Sequence, residues 1–162
     1  AGSSAWRRFG RHRTVYDQAT SRRLARCGHE TSAPALLVCS FLSSAGLRFR
    51  TQNRDLPGSP DVANRSKKWA VFVHGCYWHH HAGCHRATVP TRNRAFWLSK
   101  FGDNRRRDRR VVSQLEAAGF TVAVIWECEM AEPRVLSQKL SKVIRAARRR
   151  ARRAQRFSTP TR

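Results

Sequence analysis

Acidic residues are scarce. The 162-residue chain holds 10 Asp+Glu against 33 Lys+Arg, a formal net charge of +23 with histidine neutral. A surplus of that size repels itself in a compact state unless something anionic offsets it. Long apolar runs are missing too. The strongest, Ala35–Ala45 and Val122–Trp126, are too short and too interrupted to span a bilayer. The first 20 residues carry basic groups but no continuous apolar stretch, so no secretory signal is expected. Five cysteines are an odd number and too few for a secreted disulfide scaffold. No internal repeat is visible. Against these absences stand 40% hydrophobic and 9% aromatic residues, too many for a disordered basic tail. The balance describes one folded domain with tails that binds a polyanion. Nucleic acid is the first candidate, and an anionic membrane surface the second.

Residues 1–30 are rich in Arg, Ser and Gly, keep no sustained period, and read as a mobile basic arm. Ser32 and Pro34 then open a helix over 32–45, with Leu36, Leu37, Val38, Phe41 and Leu42 as its apolar face and Gly46 as its stop. Leu47–Gln52 alternates apolar and basic residues, as a half-buried strand does. A turn-rich stretch, Asp55–Pro60, leads to Asp61 and a second strand. The hairpin tip Arg65–Lys68 joins that strand to a buried one over Trp69–Val73, which ends at His74-Gly75. Thr91 is placed to cap a helix holding Phe96, Trp97 and Phe101. A longer helix over about 104–118 carries Asp108, Val111, Val112 and Leu115 at helical spacing. Phe120–Trp126 is a further buried strand. After Pro133 an amphipathic helix turns Leu136, Leu140, Val143 and Ala147 inward, then dissolves from Arg145 into an arginine run. The expected order, α-β-β-β-α-α-β-α, is an α/β fold with a small mixed sheet flanked by helices.

The densest chemistry lies between His74 and His85. Cys76, His81 and Cys84 form C-x4-H-x2-C, three borderline or soft donors suited to tetrahedral zinc. Cys128, which follows a buried strand, is the natural fourth ligand, with His85 as its competitor. Cys39 reads as a small core residue, and Cys27 has no nearby partner. Hydrolysing a phosphodiester needs an activated water, charge neutralisation and a proton for the leaving oxygen. A carboxylate holding Mg2+ supplies the first two. Asp61, His74 and His79 can converge at one end of the sheet, and imidazole transfers protons near neutral pH. His80 is expected to face solvent. Tyr77, Trp78 and Trp97 neighbour this cluster, and such side chains can wedge between base steps. For Trp97 the alternative is packing with Phe96 and Phe101.

Together these pieces resemble the very short patch repair endonucleases, the bacterial DNA mismatch nicking enzymes. The resemblance is carried by Gly46–Arg50, Asp55–Asp61, Ala70–His79, Phe96-Trp97 with Lys100-Phe101, Asn104, Arg107–Arg110 and Val124–Glu129. It runs from about residue 20 to 145. It implies a restriction-endonuclease-like core with an added structural zinc site. Its expected domain division is a basic disordered arm over 1–19, an endonuclease domain over 20–145 and an Arg-rich tail over 146–162. By position, Asp61 matches the metal-binding aspartate, and His74 and His79 match the active-site histidines. Val73 matches a residue whose backbone carbonyl reaches the Mg2+. Cys76, His81, Cys84 and Cys128 match the zinc ligands. Tyr77, Trp78 and Trp97 match the aromatics that wedge beside the mismatch, and Asn104 falls in a matched DNA-binding position. The implied activity is a Mg2+-dependent nick 5′ of the thymine in a T:G mismatch, the lesion left when 5-methylcytosine deaminates. The implied setting is a monomer on double-stranded DNA, with no membrane partner, in the bacterial cytoplasm and associated with the nucleoid.

One departure supports a second reading. Family members carry Glu just after the helix-opening proline, where it helps order metal-bound water; here Pro34 is followed by Ala35. On that reading the chain is a catalytically weakened, zinc-stabilised DNA-binding relative.

Overall fold

The computed structural model describes residues 32–157; the basic arm with Cys27 and the last five residues lie outside them. Helix α1, Ala33–Ser44, begins as the sequence predicts. The Ser32 side chain accepts the Ala35 N–H at 3.4 Å, and Pro34 sits in the first turn. Strand β1 is only Arg50–Thr51, shorter than the predicted Leu47–Gln52. Leu47 is still tied to the end of α1 through its N–H to the Leu42 carbonyl. At the other side Gln52 takes φ 53°, which ends the extended run. The buried Asn53 amide then staples the loop by donating to the carbonyls of Arg50 (2.9 Å) and Pro60 (3.1 Å).

Strands β2 (Val62–Asn64) and β3 (Trp69–His74) form the expected antiparallel hairpin, with Val62 opposite Val71. Helix α2 (Arg94–Ala117) crosses over to β4 (Thr121–Trp126), which runs parallel to β3 from Trp69↔Thr121 to His74↔Trp126. The sheet order is β1-β2-β3-β4. The sequence predicted two helices in the crossover. The structure has one, Arg94–Ala117, starting after Asn93 rather than at Thr91. Gly102 costs about 1 kcal/mol in a helix interior, but the turn around it is held. Phe101 is buried, and Asp103 pairs with Arg106 one turn on. A 3-10 turn, Glu127–Ala131, follows β4 and was not anticipated. The last helix, α3, spans Pro133–Phe157 and does not dissolve at Arg145. Ala146 and Ala147 continue its buried stripe. The Arg150 guanidinium folds back to the carbonyls of Lys67, Lys68 and Gly119.

Side chains alternate across the two long strands, so each face of the sheet has its own core. Trp69 and Val71 of β3 join Ala123 and Ile125 of β4 under α1 and α3. Ala70, Phe72 and Val122 meet Leu115 of α2 on the other face. The result is a small mixed four-stranded sheet between helices. Alternation also places His74 on the α2 face, at the carboxyl end of β3, where open sheets present their ligand crevices. No helix among the described residues is long and apolar enough to cross a membrane.

Candidate active site and metal centre

A cleft of about 430 Å³ opens at that end of the sheet, lined by Asp61, Val73, His74, His79, Arg107 and Asp108. The turn before β2 forms one wall. Gly58 sits there at φ 68°, and a Cβ on it would meet Val111 Cγ1 of α2 at 2.4 Å. Only glycine lets this turn press so close to α2, and the close packing aims Asp61 into the cleft. Asp61 accepts the Val73 N–H at 2.8 Å. Burial pushes its carboxyl above the usual carboxylate range, opposed by backbone N–H groups of Val73 and of Asp61 itself. No Lys or Arg pairs with it among the described residues.

His74 and His79 stack face to face, with ring centroids 3.8 Å apart and planes within 5°. Burial, then the like charge of His79, push His74 down to about 4, so its ring is neutral at physiological pH. His79 Nδ1 lies 2.5 Å from the Asp108 carboxylate, which fixes the ring's orientation and leaves Nε2 for the cleft. The three groups lie close enough to be read as a metal site. The stacking speaks against that use. Imidazole lone pairs lie in the ring plane, and two parallel planes do not converge on one ion.

Asp108 is the residue that sequence reasoning underused, taking it only as part of a helical stripe. A signal was there. It is the one acid in the run Arg105–Arg110, on the face that carries Val111, Val112 and Leu115.

The second cluster lies behind Trp126. Donor atoms of Cys76, His81, Cys84 and Cys128 all lie within 4.8 Å of one another. Cys128 Sγ is 3.3 Å from His81 Nδ1, while His85 is exposed and outside the group, so the structure brings Cys128 and not His85 to the cluster. The 3-10 turn that carries Cys128 is pinned from both sides. Glu129 accepts the Trp126 N–H and pairs with Lys139, and Glu127 reaches Arg86 at 3.5 Å. Burial, with the neighbouring thiols Cys76 and Cys84, pushes Cys128 up to about 12. Three clustered thiols therefore cannot all ionise alone, and a bound cation is what would let them. Three thiolates with one imidazole are the donor chemistry of a closed tetrahedral site. Trp126 divides the clusters: His81 stacks on it at 4.1 Å, and His74 meets its edge at 5.2 Å.

The aromatics form a third group. Trp78 and Phe96 are 57% and 59% exposed, while Phe101 beneath them is buried. Tyr77 touches Trp78, Trp97 and Phe101, so Trp97 both packs on Phe101 and borders the exposed patch. Asn104 donates to the Trp78 carbonyl at 2.9 Å and so holds the loop that presents that ring. His80 is half-buried rather than fully solvent-facing; its ring packs on Phe101, centroids 4.7 Å apart.

Comparison with known proteins fits this arrangement. The family model of DNA mismatch endonuclease Vsr matches residues 14–86. The type II nicking enzyme V.XorIIP of Xanthomonas oryzae pv. oryzae is 39% identical over 71% of this chain and 84% of its own length. The DNA mismatch endonuclease Vsr of Escherichia coli is 39% identical over 72% of this chain and 74% of its own. The type II nicking enzyme V.NmeAIP of Neisseria meningitidis is 37% identical over 69% and 79%. A cleft of acid and histidines beside a cysteine cluster, on a chain this similar to those proteins, belongs to a DNA endonuclease of the Vsr mismatch endonuclease family.

Proposed function

We propose that the protein is a Mg2+-dependent nicking endonuclease that cuts one strand of duplex DNA 5′ of the thymine in a T:G mismatch, on a restriction-endonuclease-like core held by a structural zinc. The observation that carries this is the cleft itself: a half-buried carboxylate that pairs with no Lys or Arg among the described residues, beside a histidine oriented by a second carboxylate. Asp61 and the Val73 carbonyl would hold the Mg2+. When bound, that ion neutralises the scissile phosphate and acidifies water. His79 takes the proton of the attacking water at Nε2, because Asp108 occupies Nδ1. Neutral His74 stacks on His79, limits its ring to one plane, and offers a hydrogen bond without adding positive charge. Arg107, on the cleft's rim, faces the incoming phosphate. Cys76, His81, Cys84 and Cys128 would hold the zinc, which fixes the loop that carries His79 and Trp78. Tyr77, Trp78 and Trp97 open the base step beside the mismatch by stacking.

The second reading, a weakened relative, is favoured by Ala35. It is buried in the first turn of α1, a helix without an acidic residue. One experiment separates the two. Purified protein with Mg2+ is given end-labelled duplexes that differ only by T:G or C:G, and Asp61→Asn is run alongside. A single cut 5′ of the thymine in the T:G duplex alone, lost in Asp61→Asn while binding persists, supports the nicking reading. Tight binding with no cut supports the weakened relative. Equal cutting of both duplexes contradicts the mismatch assignment.

A further inference from the structure

The carboxyl end of α3 lies at the opposite pole of the sheet from the cleft. Arg150 fixes it there, donating to the carbonyls of Lys67 (2.9 Å), Lys68 (2.6 Å) and Gly119 (2.7 Å). Lys68 immediately precedes β3, and Gly119 lies just before β4. His74 and Trp126 end those same strands. At about 3.3 Å per residue the two poles are separated by roughly 17 Å.

The surface that α3 presents at this pole is basic. Helix α3 contains no acidic residue from Pro133 to Phe157. At 100° per residue, Arg145, Arg148, Arg149 and Arg152 share the face opposite Leu136, Leu140, Val143 and Ala147. All four are exposed, and none pairs with a carboxylate among the described residues. The helix cannot lay an apolar face into lipid, because that face is already buried in the core. A protein interface would need an apolar or aromatic centre. The large exposed hydrophobics among the described residues are Trp78, Phe96 and Leu98, all beyond the other pole. What matches a row of unpaired guanidinium groups without apolar anchors is a row of phosphates.

We propose that Arg145, Arg148, Arg149 and Arg152 form a second phosphodiester-binding face, on which the protein holds a DNA segment separate from the one at the cleft. This goes beyond the nicking reading and rests only on the family's action on DNA. A duplex seated at the cleft leaves the far pole open. A second segment there would keep the protein on DNA between encounters and allow transfer from strand to strand.

The test uses the full chain and two fully matched 20-base-pair duplexes, one biotinylated and one fluorescent, without divalent metal, so that no outcome depends on cutting. Wild-type protein should carry the fluorescent duplex onto streptavidin beads at low salt. The variant Arg145→Gln/Arg148→Gln/Arg149→Gln/Arg152→Gln should lose at least about tenfold of this bridging. The loss of four phosphate contacts should lower the salt slope of the second binding step by roughly 3 to 4. The all-lysine counterpart should retain bridging, since charge and not shape carries the contact. Thermal melting confirms that the variants are folded, and nicking of a T:G duplex at saturating protein should stay at the wild-type rate. Bridging that survives in the Gln variant would place the second segment on another surface or on a protein dimer, and overturns the proposal. So does a wild-type protein that never bridges, or vesicles of anionic lipid that displace the second duplex through the same four residues.

Discussion

One short segment builds two sites with opposite habits. Between His74 and His81, His74 and His79 go to the cleft while Cys76 and His81 go to the cysteine cluster, with Trp126 between them. Each takes from this segment one pair five residues apart, two histidines for the cleft and a cysteine with a histidine for the cluster. In the cysteine cluster four donors point at one centre, and the thiols oppose one another's ionisation until a cation joins them. In the cleft the two imidazoles lie parallel, one neutral and one on a carboxylate, so their lone pairs do not converge on one ion. The sites differ both in donor type, thiols against a carboxylate, and in whether the lone pairs converge. Trp126 lies between the two, stacked on His81 and edge-on to His74.

Removing a donor from the convergent site should do the most damage. Cys128→Ala leaves three ligands and an open position. Zinc content should fall from about one per chain, with Tm lower by on the order of 10 °C. Elemental analysis and melting check both, and an unchanged Tm would mean that the loop is held without metal.

At the cleft the largest effect should come through orientation. Asp108→Asn keeps the shape but presents the wrong partner to His79 Nδ1. The single-turnover nicking rate should fall roughly 10²- to 10⁴-fold with DNA affinity unchanged. The pH profile of the residual rate should move as well. Loss of affinity without a change in rate would place Asp108 in DNA binding instead.

The smallest effect separates neutral His74 from its charged neighbourhood. Its folded value near 4 lies below the ordinary 6.5. Between those limits the unfolded chain binds a proton that the folded chain refuses, so stability falls as pH drops from about 6.5 to 4. The full swing is about 3 kcal/mol at 1.36 kcal/mol per pH unit. His74→Gln does not titrate, so urea melts at pH 7 and pH 4.5 should show a smaller loss than wild type. Metal loss in acid affects both proteins alike. Parallel losses would show that His74 is charged in the folded state.

Much of this was legible in the sequence because the signals were local. Ser32-x-Pro34 fixed the start of α1, and the hairpin tip Arg65–Lys68 fixed β2 against β3. The C-x4-H-x2-C spacing brought three donors together within one loop. What escaped depended on contacts distant in the chain. The single helix α2 survives Gly102 because Phe101 is buried under the Tyr77 loop. The end of α3 holds because Arg150 finds carbonyls more than thirty residues away or further. Asp108 meets His79 across 29 positions, and the 3-10 turn Glu127–Ala131 was announced by no periodicity.

The division of labour between the two sites is tested most directly by treating the purified protein with EDTA, then measuring retained zinc, thermal stability and nicking of a T:G duplex on the same sample. The closed cysteine site should keep about one zinc and its Tm, nicking should vanish, and added Mg2+ alone should restore it. Nicking that persists without Mg2+, or that returns only when zinc is supplied, would contradict the assignment of separate metals to the two sites.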